Sequence, residues 1–84
     1  MLRDKLNQIT KDSIIKQADN IWHSLRNDML DRASAGCFEF ETNWLSFKPG
    51  QIEYIVELSI KEKLVVSYEN NEANDRTKFK FNWK

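Results

Sequence analysis

The chain has 84 residues, 40% of them hydrophobic and 31% charged, with two Gly and one Pro. That is the composition of an ordinary globular domain and excludes disordered, collagenous and low-complexity classes. Thirteen Lys and Arg offset thirteen Asp and Glu, so no net field draws the chain to nucleic acid or an anionic membrane, and either would need a local patch.

The single Cys37 has no disulfide partner and no Asn-x-Ser/Thr acceptor occurs; both fit a reducing, cytoplasmic compartment. The opening residues Met1-Leu2-Arg3-Asp4-Lys5-Leu6 carry interspersed charges, and no apolar run nears the roughly 20 residues that cross a bilayer. Neither a signal peptide nor a membrane partner is expected. At this length a single domain over 1–84 is expected, with aromatic side chains carrying much of its core.

Residues 1–9 read as a short N-terminal turn: Leu2, Leu6 and Ile9 have helical spacing, but the step from Ile9 to Ile14 breaks phase with the stripe that begins at Ile14. A helix over 10–34 comes next. Thr10 suits an N-cap, Asp12 lies in the first turn, and Ile9 and Ile14 hold the places of a hydrophobic staple. Ile14, Ala18, Ile21, Trp22, Leu25, Met29 and Ala33 then make one apolar stripe, which Gly36 ends.

From Cys37 the period becomes two. Phe38 and Phe40 alternate with Glu39 and Glu41, predicting a strand over 37–42. A second helix over 49–61 starts at Pro49 and repeats Ile52, Ile55, Val56 and Ser59 or Ile60 at helical spacing. Leu64 to Tyr68 is β-branched and aromatic, a second strand over 64–68. Polar residues 69–75 read as a loop, and Phe79, Phe81 and Trp83 alternate with Lys78, Lys80 and Asn82 in a third strand over 77–83.

Charge adds a pairing argument. Placed side by side and antiparallel, the first and third strands bring glutamates to lysines on one face and four phenylalanines together on the other, each cross-strand pair worth roughly 0.2–1 kcal/mol. The second and third strands form a hairpin by proximity, so the third is central and the second helix makes a crossover between parallel outer strands. The expected fold is an α+β two-layer sandwich, order α-β-α-β-β, with both helices on one face of a three-stranded sheet. A winged-helix arrangement fits less well, since only one helical pattern separates Thr42 from Leu64.

The residues offer little for catalysis. The lone His23 lies off the apolar stripe and far in sequence from Cys37, so it reads as a helix-surface residue. One Cys and one His do not make a conventional zinc site, and two glycines exclude a phosphate-cradling loop. Glu39 and Glu41 share a strand face, but their expected lysine neighbours make them a solvated ladder. No enzyme activity, cofactor or metal is therefore expected.

Two binding readings remain. Lys78, Lys80 and Lys84 interleave with aromatics in the manner of a basic nucleic-acid strand. Alternation, however, puts the aromatics on the opposite, core side, and residues 39–62 carry five acids against two bases. Protein binding fits better: Trp44, Phe47 and Tyr54 cluster at a strand-to-helix connection, and Leu30 lies off the stripe of its helix. Trp44 and Phe47 as caps on the core are the plain structural alternative. Glu39, Glu53 and Glu57 would set electrostatic complementarity towards a basic partner. A structural homodimer is a third reading.

The helix closing in Ala33-Ser34-Ala35-Gly36, the strand Phe38-Glu39-Phe40 leading to Trp44, the helix Gln51-Ile52-Glu53-Tyr54-Ile55 and the terminal Lys80-Phe81-Asn82-Trp83 together resemble small early proteins of tailed phages over residues 10–84. The chain departs from them in having Lys61-Glu62-Lys63 where a helix-ending Gly often stands. The resemblance implies a non-enzymatic protein in the host cytoplasm that binds and inhibits or modulates a host protein or complex.

Overall fold

The computed structural model describes residues 1–84. The elements run α1 (Leu2–Ser34), β1 (Glu39–Glu41), α2 (Gln51–Lys61), β2 (Val65–Asn71) and β3 (Arg76–Asn82). The three strands form one sheet in the order β1-β3-β2, antiparallel at both pairings. Both helices pack against one face of it, so the expected α+β architecture with a central third strand is the observed one.

The helix boundary expected at Thr10 does not exist. α1 is continuous over 33 residues, with Met1 at its N-cap position. No Gly or Pro interrupts residues 2–13, and extending a helix costs far less than nucleating one, so a good capping residue inside a helix-competent run is simply passed over. A side-chain bond from Gln8 Nε2 to Asp12 Oδ1 (2.9 Å) crosses the expected boundary. The phase break between Ile9 and Ile14 marks a change in which side of one helix is apolar.

Both helices end in the same device. At α1, Gly36 N–H donates to Ala33 O and Cys37 N–H to Arg32 O, both at 3.0 Å, with Gly36 at φ 87°. These are the paired bonds of a Schellman motif. At α2, Lys63 N–H donates to Ile60 O (2.9 Å) and Leu64 N–H to Ser59 O (3.0 Å), with Lys63 itself at φ 61°. Lysine here takes the left-handed position that Gly occupies more cheaply.

The register sets Phe40 against Phe81 and Glu41 against Lys80 across β1 and β3. β1 is shorter than the expected 37–42, because Thr42 replaces the regular ladder: its N–H donates to Phe79 O (2.9 Å) while its Oγ1 accepts from Phe79 N–H (3.0 Å). Pairing resumes in a bridge between Leu45 and Thr77. β2 runs on through Asn70 and Asn71, which shortens the expected loop; Asn70 Oδ1 accepts from the Thr77 hydroxyl and Asn71 Oδ1 from Ala73 N–H, and Asp75 turns the chain at φ 52°. α2 begins after the Pro49-Gly50 turn, with Lys48 N–H donating to Gln51 Oε1 (2.9 Å).

The core is Trp22, Leu25 and Met29 of α1, Ile55 of α2, and Phe79 and Phe81 of β3. Phe79 and Phe81 are fully buried and stacked, with Phe47 edge-on to Phe79 and Trp22 edge-on to Phe81. Phe40 and Trp83 pack against this cluster, but Phe38 does not: it is 55% exposed. The expected quartet of phenylalanines is a trio. Phe38 precedes the first ladder residue, and Trp83, whose N–H donates to Phe38 O, is the neighbour that reaches the core. Lys84 Nζ covers the stranded ring at 5.8 Å.

Two polar clasps join the helices. Gln51, almost wholly buried, donates from Nε2 to Ile14 O (3.0 Å), and the Tyr54 hydroxyl donates to Asp19 Oδ1 (2.5 Å). No buried side-chain polar atom lacks a partner. The radius of gyration is 14.6 Å, against about 12 Å for a compact chain of this length. α1 is responsible, since its first three turns extend past the sheet with residues 1–13 all exposed.

Candidate functional site

Because the helices share one face of the sheet, the other face is open, and alternation decides what stands on it. Glu39, Glu41, Lys78 and Lys80 all project there. Glu41 is ion-paired to Lys78, and Glu39 to Lys80 at 3.7 Å. Direct opposition pairs Glu41 with Lys80, so each long lysine reaches diagonally. The Lys78 ammonium hydrogen-bonded to Glu41 holds its carboxyl below the usual carboxylate range, with Lys80 adding a smaller push in the same direction.

Trp44 belongs to this face. Leu45 pairs with the buried Thr77 and points inward, so its neighbour Trp44 points outward, 36% exposed, with Lys78 Nζ 5.6 Å from its ring. Lys78 thus touches a carboxylate and an indole at once. The result is an aromatic plate at the end of a ladder of alternating charge, with Lys78 over its ring.

The other residues singled out from the sequence are dispersed. Phe47 is partly buried against Phe79, which is the core-capping alternative. Tyr54 is tied to Asp19 between the helices; that hydrogen bond, then burial and the charges of Asp19 and Glu57, push its hydroxyl above its ordinary pKa. Glu53 and Glu57 are exposed on α2, in the helical layer, where Glu57 pairs loosely with Lys61 at 3.8 Å. Of the residues expected to bind a protein partner, only Glu39 shares a face with Trp44. Leu30, 58% exposed, belongs to a different feature, an open groove of about 230 Å³ between the C-terminal half of α1 and the start of β2.

The basic strip is interrupted in the same way. Lys78 and Lys80 each have a glutamate and Lys84 lies over Phe38, so the face alternates in sign instead of presenting a cationic track. His23 and Cys37 are exposed and far apart in the sequence, and no three His, Cys, Asp or Glu side chains are grouped as metal ligands would be. No helix is long and apolar enough to cross a membrane.

Sequence reasoning missed the other exposed apolar surface. Met1, Leu2, Leu6 and Ile9 stand in water on the projecting turns of α1. The phase break before Ile14 was the signal for it: a stripe out of register with the core stripe faces somewhere other than the core. Comparisons of the chain with protein-family models, with curated proteins and with solved structures find no match.

Proposed function

We propose that this chain is a non-catalytic protein-binding module that docks through the open face of its sheet. The observation that carries the reading is Trp44, about a third exposed and braced by Lys78, which is itself ion-paired to Glu41. Binding energy concentrates in rigid aromatic anchors ringed by polar groups, because such an anchor loses little side-chain freedom on being buried. The ladder beside it offers both signs of charge in fixed places, which favours one docking orientation over its reverse. The resemblance to small tailed-phage proteins makes a host protein the partner class, with occlusion of its surface as the mode of action.

Capture from host lysate with nuclease present, compared between the native chain and Trp44→Ala, tests this. One stoichiometric protein retained by the native chain and lost with Trp44→Ala, at a melting temperature within a few degrees of the native value, is the expected result. Retention unaffected by Trp44→Ala, or a complex that disappears with nuclease, overturns it.

A further inference from the structure

Two apolar surfaces of this chain lie open, and they complement one another in shape. One is convex: Leu2, Leu6 and Ile9 along the projecting arm of α1, about 160° around the helix from the core stripe of Ala18, Trp22, Leu25 and Met29. The other is concave: the groove lined by Trp22, Met29, Leu30, Ala33, Leu64 and Trp83. Within one copy they never meet, since Leu6 and Leu30 are about 36 Å apart along one helix.

We propose that a second copy of this chain occupies both surfaces: two α1 helices lie antiparallel, and the arm of each copy seats in the groove of the other. Leu2, Leu6, Ile9 and Leu30 fall on a single seam of alternating three- and four-residue steps, the spacing at which two helices stay in contact along their length. An antiparallel register in which facing residue numbers sum to about 36 brings Leu6 onto Leu30 and Leu2 onto Ser34 of the second copy.

Charge selects the same alignment. On the flanks of that seam Arg3 comes beside Asp31 and Asp12 beside Arg26 of the second copy; at the two-fold the two Asp19 carboxylates come side by side, each with Lys16 of the other copy next to it. Arg26 also lines the groove, so Asp12 meets it at the rim. A parallel alignment would instead set the Arg3 flank of one copy against the Lys5 flank of the other, like charge on like. The seam between the two apolar ends is polar, with Ser13, Lys16, Asn20, His23 and Asn27 all exposed, so the ends form the contact and the middle stays hydrated. The two-fold makes each arm-to-groove contact twice for a single loss of rotational and translational freedom.

The test is the oligomeric state of the full chain by sedimentation equilibrium from about 1 to 200 μM, with circular dichroism to check helix content. The native chain is expected to dimerise in that range. Leu6→Ser in the arm and Leu30→Ser in the groove are each expected to weaken the dimer at least ~10-fold, about 1.4 kcal/mol. Arg3→Asp is expected to weaken it too, and Arg3→Asp combined with Asp31→Arg to restore it, a rescue that only the antiparallel register provides. A chain monomeric at 200 μM overturns the proposal, whether or not its arm binds lipid vesicles. So does a dimer that Leu6→Ser dissolves and Leu30→Ser leaves intact, since the arms would then pair with each other. Trp44 lies on the open sheet face, so Trp44→Ala leaves the dimer unchanged and the two proposals fail separately.

Discussion

The two ends of α1 carry comparable apolar side chains at comparable spacing, yet Ala18, Trp22, Leu25 and Met29 are buried while Leu2, Leu6 and Ile9 stand in water. What separates them is reach. The sheet and α2 are shorter than α1, whose 33 residues extend about 50 Å, so only its C-terminal part has anything to lie on. A helical pattern therefore states that a side of a helix is apolar, and the neighbouring elements decide whether that side is core.

The largest expected effect tests this contrast directly, with one chemical change made at both ends. Leu25→Ala, at a site 4% exposed, should destabilise the chain by about 2–5 kcal/mol in urea unfolding. Leu6→Ala, at a site 53% exposed, should cost under about 0.5 kcal/mol at concentrations low enough to keep the chain monomeric. Under the same conditions hydrogen exchange should protect the amides of residues 18–34 far more than those of 2–10, where no packing supports the helix. Equal protection along α1 would mean that the arm is stable without a partner.

The two helix ends offer a smaller test. Nothing lies within 4 Å of a side chain placed at Gly36, so Gly36→Ala meets backbone strain alone and should cost about 1 kcal/mol. Lys63→Gly should stabilise by a similar amount, about 1 kcal/mol, because it relieves that strain at the matching position. Thermal melts of the pair should shift in opposite directions.

Smaller again is the Tyr54–Asp19 clasp. Its tyrosine pKa is raised from 10.0, so the stability it contributes is fully present below pH 10 and is lost as pH climbs through the higher folded-state value. Tyr54→Phe should remove this alkaline loss while leaving the neutral-pH fold intact. The smallest effect is expected at Glu41, whose pKa is lowered from 4.5. Its contribution is present above that value and fades as pH falls through the lower folded-state value. Lys78→Met should remove most of that acid-side dependence, leaving the smaller part due to Lys80, with little change at pH 7, since the pair is partly exposed.

Much of the fold was legible because period and charge act locally. The alternation of Phe79 and Phe81 with Lys78 and Lys80 named the inner and outer faces of β3, and the glutamates of β1 identified its neighbour. Phe38 has the same alternation as Phe40 and a different fate, because the ladder begins one residue after it and Trp83 takes the inward place. Thr10 carries a capping hydroxyl, an acidic first turn and a hydrophobic staple, and those marks have no force where the preceding residues are helical as well. For the candidate site, Glu39 was legible as a surface residue from strand alternation, whereas Trp44 and Phe47 carried the same two readings, anchor or core cap, and Phe47 and Tyr54 were drawn into packing by Phe79 and Asp19, partners distant in the sequence.

The sequence alone determined the kinds of element, the inner and outer sides of the strands, the central place of the third strand and the stop at Gly36, because each depends on spacing, charge and backbone freedom within a few residues. Only the tertiary structure decided which apolar residues are core, that Lys63 adopts a conformation suited to glycine, and that α1 outruns the body it covers. Those outcomes depend on where another element ends, a distance in space that no local pattern of residues encodes.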